Sequence, residues 1–588
     1  MRHRIGTMTA LALAAVAASP APAGDVRSTK HNLSVSGPGT IVSDTESRVC
    51  VFCHTPHNAQ PAVPLWNHAT SGATYSTYSS STLTVTTPLP QPTGASKLCL
   101  SCHDGTVALG QTVNDGLIGL LNTGPGGVMP AGPSNLGVDL ADDHPVSFQP
   151  NPSNTETKDP PPGDPVSLDD AGEVQCTSCH EPHTEDIDPV TRKFLVKVNQ
   201  GSAICLTCHQ KDYWETNPSS HQSSTATYTS SNGAHTGYTT VQDNGCESCH
   251  RPHTGGEPQR LLKFVEEATC DQCHNGSVAT FDISAEFGKA YSHPTFDTTP
   301  SVHDAAESPT SSSNPLPEVD PGAARHAECA DCHNPHAAYS QSATAPDVTG
   351  ATSGVWGIDS SGALVDPARF EYEICYKCHA DSANKPQESG LPNPPYTNRA
   401  IVQFNVRLEF DPGNPSYHPV EAAGKNPNVP SLIPPYTTSS IIRCTDCHNN
   451  DTGPGAGGSG PNGPHGSAYN HLLERRLDTG DGNTGNNFDA MYALCFKCHD
   501  RASIMGNQSF KKHRLHIDGE NASCTVCHDP HGVSATQGNA TENSHLINFD
   551  VDIVSPSNSG QLRFEDRGVF HGACFLTCHG KNHDPKTY

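Results

Sequence analysis

The sequence predicts a fold with low regular secondary structure, mostly coil with short α-helices and small hairpins. Hydrophobic residues make up only 34% of the 588 residues, and 51 glycines and 50 prolines interrupt the chain. All 24 cysteines fall in short, repeated pairs. Such a composition is a poor recipe for a large apolar core. Either much of the chain is disordered, or something other than side chains fills its interior.

The regular elements are expected to be short. Helices are predicted over residues 261–274 and 493–499, where apolar residues recur beside cysteine pairs. A small hairpin is predicted over residues 74–87, which are rich in Ser, Thr and Tyr. Linkers are predicted where Pro, Gly and Ser concentrate, around Pro160, Pro315, Pro394 and Gly457.

The first 23 residues have the features of an export signal. Arg2 and Arg4 precede an apolar run over residues 11–18, and small residues follow up to Ala23. The run is shorter than the roughly 18 residues that a membrane span needs, and no later stretch is long enough. We therefore expect an exported protein without a transmembrane segment, in the periplasm, on the outer surface or outside the cell.

Cysteine pairs followed by a histidine recur along the chain. Eleven have two residues between the cysteines and a histidine directly after the second. These eleven triads are Cys50, Cys53, His54; Cys99, Cys102, His103; Cys176, Cys179, His180; Cys205, Cys208, His209; Cys246, Cys249, His250; Cys270, Cys273, His274; Cys329, Cys332, His333; Cys375, Cys378, His379; Cys444, Cys447, His448; Cys495, Cys498, His499; and Cys524, Cys527, His528. A twelfth pair, Cys574 and Cys578, has three intervening residues and is followed by His579.

The CxxCH pattern is the attachment signature of haem c, in which two thiols bind the porphyrin and the histidine ligates its iron. Zinc sites do not require a histidine directly after every cysteine pair. Structural disulfides do not need one uniform spacing, and dithiol redox sites do not come in dozens. The sequence therefore predicts about twelve covalent haem c groups, which would replace much of the missing core.

Histidine is the expected second axial ligand. The chain has 34 histidines but only five methionines, so most irons are expected to be bis-histidine. Five histidines follow a motif histidine by three residues, in CHxPH, and we expect each to ligate a neighbouring haem: His57, His183, His253, His336 and His531. The ninth motif lacks this histidine, and His465 is its expected substitute.

Further candidates lie upstream of the odd-numbered motifs: His31, His144, His235, His293, His418 and His516. Nine other histidines compete with them: His68, His221, His303, His326, His471, His513, His545, His571 and His583. A solvated loop residue is the alternative interpretation for any of these.

The twelve sites fall into six pairs. After the signal at residues 1–23, the predicted divisions are 24–158 for the first pair, 159–240 for the second, 241–320 for the third, 321–425 for the fourth, 426–512 for the fifth and 513–588 for the sixth. Residues 176–208 and 246–273 both run attachment site, PH, apolar-basic segment, attachment site. This arrangement resembles the doubled-CxxCH multihaem c-type cytochromes of metal-reducing and related bacteria. The resemblance implies periplasmic or outer-surface electron transfer, in some relatives ending at minerals or in haem filaments.

The net charge of −27 and the absence of a basic stripe argue against nucleic-acid binding. An exported soluble surface and docking to a basic redox partner are both compatible with this charge. The leading hypothesis is an electron carrier, not an enzyme, acting with redox proteins or an extracellular acceptor. The alternatives are a multihaem reductase with one open haem, although the CxxCK motif of pentahaem nitrite reductases is lacking, and a self-assembling filament subunit.

Overall fold

The computed structural model describes most of the chain. The described residues are 25–60, 65–211, 213–214, 219–228, 237–296, 326–380, 397–403, 405–482, 488–535 and 542–588. The export segment and the linkers around Pro315 and Pro394 lie outside them.

The helices are short, and many coincide with attachment motifs. The three longest, Gly94–His103, Glu266–His274 and Glu371–His379, each end on a motif histidine. The other α-helices that lie wholly within the described ranges are Cys176–Cys179, Cys205–Cys208, Ser220–Ser223, Val241–Asn244, Ile283–Phe287, Cys329–Cys332, Val406–Phe410, Phe488–Met491, Arg501–Met505 and Cys524–Cys527. Single 3-10 turns carry further motifs, at Cys50–Phe52, Gly245–Ser248, Cys444–Asp446 and Cys495–Lys497.

The predicted helix over residues 261–274 forms only in its second half. Glu266 and Glu267 occupy its first turn, where negative charge favours a helix N-terminus. The first half instead runs back beside the fifth motif, where Leu262 bridges to His250. The predicted helix over residues 493–499 is reduced to the turn Cys495–Lys497.

The strands are short pairs except at the C-terminus. The two-residue pairs are Ser76–Thr77 with Asp139–Leu140, Gln111–Thr112 with Gly116–Leu117, Tyr291–Ser292 with Gly466–Ser467, Gly357–Ile358 with Leu364–Val365, and Ser416–Tyr417 with Gly532–Val533. The C-terminal sheet has Gly572–Cys578 as its central strand, paired with Val554–Ser555, Arg563–Asp566 and Lys581–Thr587.

The predicted hairpin over residues 74–87 was wrong. Ser76–Thr77 pairs in parallel with Asp139–Leu140, more than sixty residues away. The cause is burial: Tyr75 and Leu140 pack together against Leu100 of the Gly94–His103 helix, which brings the two segments side by side.

The core is divided into small clusters beside the motifs, as the low apolar content predicts. One cluster centres on Tyr372 and Tyr376, and another joins Val526 to Phe564 and Leu576 of the C-terminal sheet. No helix in the described ranges has the length and apolar character that crossing a bilayer requires.

The glycine-rich segment around Gly457 is a packed loop and not the predicted linker. It folds over the fully buried side chains of Asn450 and Glu474. A Cβ atom on Gly455 would lie 2.1 Å from a carboxylate oxygen of Glu474, so any larger residue there would displace this buried carboxylate. The loop ends at His465, and its packing therefore positions that histidine.

Candidate haem-binding sites

The standard motifs form one helical turn. The backbone N–H of the motif histidine donates to the carbonyl of the first cysteine, over 2.8 Å at His54 and 3.0 Å at His180. In such a turn the residues at positions i, i+3 and i+4 share a face. Both thiols and the imidazole can thus approach one planar group together, as covalent haem requires.

In several odd-numbered motifs, a backbone carbonyl from a segment further along the chain orients the motif histidine. The Nδ1 atom of His180 donates to the carbonyl of Lys193 over 3.0 Å, and His250 donates to Arg260 over 2.9 Å. The same bond joins His448 to the carbonyl of His471, over 2.7 Å. Because a carbonyl only accepts, Nδ1 carries the proton and Nε2 keeps its lone pair for a metal.

Ten motif histidines face a second histidine, with ring centroids 6.0–6.4 Å apart. The pairs are His54 with His183, His103 with His31, His180 with His253, His209 with His144, His250 with His336, His274 with His221, His333 with His465, His379 with His293, His448 with His531, and His528 with His513. One metal held at about 2 Å by a nitrogen of each ring places the centroids about 6 Å apart. The paired rings therefore fit a bis-histidine iron.

Burial lowers the pKa of several of these imidazoles, which favours their neutral form. It lowers the pKa of His180 to about 4, and the nearby charge of His253 acts in the same direction. It lowers the pKa of His336 to about 3, with His250 contributing next. His499 of the tenth motif is the standard motif histidine outside these ten pairs; burial lowers its pKa to about 4, and His418 is the next cause. A neutral ring is the form that binds a metal.

Five PH dipeptides each contact two histidine segments, one through the imidazole and one through the proline carbonyl. His336 faces His250, while the carbonyl of the preceding Pro335 accepts a bond from Nδ1 of His221 over 3.0 Å. The same arrangement occurs at four further dipeptides, where the Pro carbonyl accepts from His31 at Pro182, from the backbone N–H of His144 at Pro252, from His293 at Pro464 and from His418 at Pro530. A PH segment from one pair of attachment sites thus positions the two candidate second ligands of the preceding pair of sites.

Carboxylates hold the ring orientation of several PH histidines. The Nδ1 atom of His253 lies 3.0 Å from Oδ1 of Asp143, whose side chain is 5% exposed, and His531 lies 3.0 Å from Glu409. His183 lies 2.7 Å from Glu181. Such partners fix the tautomer and raise the basicity of a ligating imidazole.

Two stretches of the chain, residues 170–213 and 239–279, match the family model described as the doubled CXXCH motif. They contain the third to sixth attachment sites. This chain is a doubled-CxxCH multihaem cytochrome. The cytochrome is also 25% identical over 217 residues to the multiheme cytochrome MtrA of Shewanella baltica. That alignment covers 35% of this chain and 43% of the relative.

The cysteines of the cytochrome place its attachment sites in sequence order. The first cysteine of an even-numbered site lies close to the first cysteine of the next odd-numbered site, and each pair of thiols interacts electrostatically: Cys99 with Cys176, Cys205 with Cys246, Cys270 with Cys329, Cys375 with Cys444, and Cys495 with Cys524. Within pairs the second cysteines are close neighbours, as for Cys53 with Cys102, Cys179 with Cys208, Cys249 with Cys273, and Cys447 with Cys498. The cysteines of consecutive sites therefore lie near each other along the chain.

Three expected ligands of the cytochrome are placed differently or not described. His57 is exposed, and within the described part of the chain no ring contact joins it to a motif histidine. It belongs to the first odd-numbered motif, so no earlier pair exists in this chain for it to serve. His235 lies outside the described residues, and His221 takes the position opposite His274. His579 contacts Asp481 instead of another histidine.

Sequence reasoning did not select His221, His513 and His583 from the competing set. His221 and His235 precede the same motif, and nothing in the sequence decided between them. His513 and His516 are spaced by three residues, as the CHxPH histidines are from their motif histidines. That spacing was the available signal for a segment that serves two sites.

Proposed function

We propose that the cytochrome carries about twelve covalent haem c groups, mainly bis-histidine, and transfers electrons along them in sequence order. The observation that carries this proposal is the set of opposed imidazoles at nearly constant spacing, one member of each of ten pairs belonging to an attachment motif. The contacts between cysteines of consecutive sites support a continuous path.

The residues of the chain bind and orient; none is needed for bond chemistry. When bound, each haem supplies one-electron chemistry, because its iron cycles between ferric and ferrous. The motif cysteines would hold the porphyrins, and the nitrogens of the paired imidazoles would ligate the irons. Bis-histidine ligation favours lower potentials than ligation by histidine and methionine. Twelve interacting centres are expected to titrate over a broad range of potentials.

A carrier role is favoured over a reductase. A reductase needs one haem with an open distal position, whereas ten of the standard motif histidines face a second imidazole and His499 has His418 as a neighbour. Self-assembly into a filament remains an alternative with one supporting observation. His57 has the sequence position of a distal ligand yet is exposed, where another chain could reach it.

We place the protein outside the cytoplasm, in periplasmic or extracellular respiratory electron transfer. The export features of residues 1–23 and the fact that haem c is attached after export support this location. Redox proteins or an extracellular acceptor are the proposed partners. The net charge of −27 favours a partner with a basic docking face.

Intact mass and a haemochrome assay test the haem number, with twelve expected because twelve cysteine pairs are present. A count of eleven would point first to Cys574 and Cys578. Carbon monoxide or nitrite added to the reduced protein tests the carrier role, and the spectrum should barely change because the axial positions are filled. Stoichiometric binding with turnover would make the protein a reductase instead.

A further inference from the structure

The last attachment site is built on a β-strand. Cys574 and Cys578 both lie on the strand Gly572–Cys578, whereas the standard motifs lie in helical turns. Residues two apart on a strand point to the same face. Cys574, Leu576 and Cys578 share one face, because all three pack in the same apolar cluster. The pairing with the neighbouring strand Lys581–Thr587 shifts register between Cys574 and Leu576, and beyond this irregularity Leu576 is directly opposite His583. His583 thus lies on the face that carries both thiols.

His579, the residue in the usual ligand position, points elsewhere. It begins the two-residue turn between the strands, with φ of +48° at His579 and +73° at Gly580, as a tight hairpin turn requires. Its Nε2 atom donates to Oδ2 of Asp481 over 2.6 Å. At the sites described above an oxygen holds Nδ1 and leaves Nε2 for the metal. Here Nε2 is the nitrogen already engaged.

His583 instead faces His516, with ring centroids 6.3 Å apart, the same spacing as in the ten other pairs. Nδ1 of His516 donates to the carbonyl of Lys512 over 2.8 Å, so its Nε2 keeps a free lone pair. Burial lowers the pKa of His583, and the charge of His516 lowers it further, as expected for two rings that face each other. Three residues earlier, His513 faces His528 of the adjacent site.

We infer that His583, and not His579, is the axial ligand on the attachment side of the twelfth haem, with His516 opposite it. The inference rests on the proposed function only in that Cys574 and Cys578 must hold a haem. Four residues, including the turn, then lie between the second cysteine and the ligand. The segment from His513 to His516 holds the distal positions of the last two haems.

The test compares His583→Ala with the matched variant His579→Ala in the full-length holoprotein. Intact mass counts the covalent haems, and electron paramagnetic resonance of the oxidised protein counts high-spin irons. We expect His583→Ala to gain one high-spin haem or to lose the twelfth haem. His579→Ala should gain no high-spin haem, even if the attachment machinery needs this histidine and the count falls to eleven.

The double variant His516→Ala/His583→Ala provides a second measurement. It should affect one haem, as each single variant does, because both rings serve the same iron. Two affected haems would overturn the inference, as would twelve low-spin haems in His583→Ala or a high-spin haem in His579→Ala. In each of these cases a wild-type protein with twelve haems leaves the proposed electron-carrier function intact. A wild-type protein without covalent haem would instead refute that function.

Discussion

For a single histidine, its reach decides which iron it can bind. A PH histidine follows its motif histidine by three residues, too short a path to pass around its own porphyrin. The structure accordingly places His253 opposite His180 and not beside His250. The carboxylate of Asp143, contributed by an earlier segment, holds its other ring nitrogen. Position within CHxPH is therefore not sufficient; a preceding pair must also be there to receive the ring.

His253→Ala should convert one haem to high spin, namely the haem at Cys176 and Cys179. The expected reason is that His180 loses the ring that faces it. His57→Ala is the matched control, because His57 has the same place in its motif but is exposed. Electron paramagnetic resonance of the isolated protein should show one new high-spin iron in the first variant and none in the second. A high-spin iron at the haem of His250 would contradict the proposal that His253 ligates a haem of the preceding pair of sites.

Among the elements, two-residue strand pairs locate the distal candidates of the later haems. Tyr291–Ser292 pairs with Gly466–Ser467, directly beside His293 and His465. Ser416–Tyr417 pairs with Gly532–Val533 in the same way beside two other distal candidates. Each strand pair thus fixes two imidazole rings, which are the candidate second ligands of consecutive attachment sites.

Gly466→Ala should displace the imidazole rings of His293 and His465, which lie beside the first of these strand pairs. A Cβ atom there would lie 1.8 Å from the backbone carbonyl oxygen of Glu286, so the strand pair must separate. We expect a loss of about 1–3 kcal/mol of stability, the usual cost of overpacking, and high-spin signals from the haems of His333 and His379. Chemical denaturation and electron paramagnetic resonance measure these effects.

Gly119→Ala is the control for this substitution, since no atom lies within 4 Å of its Cβ position. It should leave both stability and spin state unchanged. If Gly466→Ala behaves in the same way, the strand pair does not position the two ligands.

On the scale of the whole molecule, the attachment sites form one series. Cysteines of consecutive sites lie near each other, and a PH segment of the following pair packs against each of the first five pairs. The small apolar clusters lie between these sites and do not form one central core. If electrons pass through the proposed haems in sequence order, every internal haem is necessary for transfer from one end to the other.

Removing the sixth haem with Cys270→Ala/Cys273→Ala should interrupt most of the current through a single protein held by its two ends between electrodes. Cys574→Ala/Cys578→Ala also removes one haem, but at the end of the series, and should reduce the current less. Both variants should contain eleven haems by mass, which makes the comparison one of position alone. Equal currents in the two variants would exclude a single path in sequence order.

The sequence by itself determined the features that depend on neighbouring residues. CxxCH spacing identified the attachment motifs, and the low apolar content predicted short elements and a divided core. The short reach within CHxPH predicted that its histidine serves a neighbouring site, and the loss of this histidine from the ninth motif directed attention to His465. These features depend on covalent geometry over a few adjacent residues, and adjacency can be read directly from the sequence.

Only the tertiary structure decided which distant segments meet. It chose His221 opposite His274, left His57 exposed, packed the loop around Gly457 against Glu474, and turned His579 away while bringing His583 to face His516. Each outcome depends on backbone pairing or burial between segments far apart in the chain. Histidines in loops are chemically identical candidates, and no local pattern separates them. The physical reason is that an axial partner is selected by long-range packing, whereas the attachment site is selected by bonds along the chain.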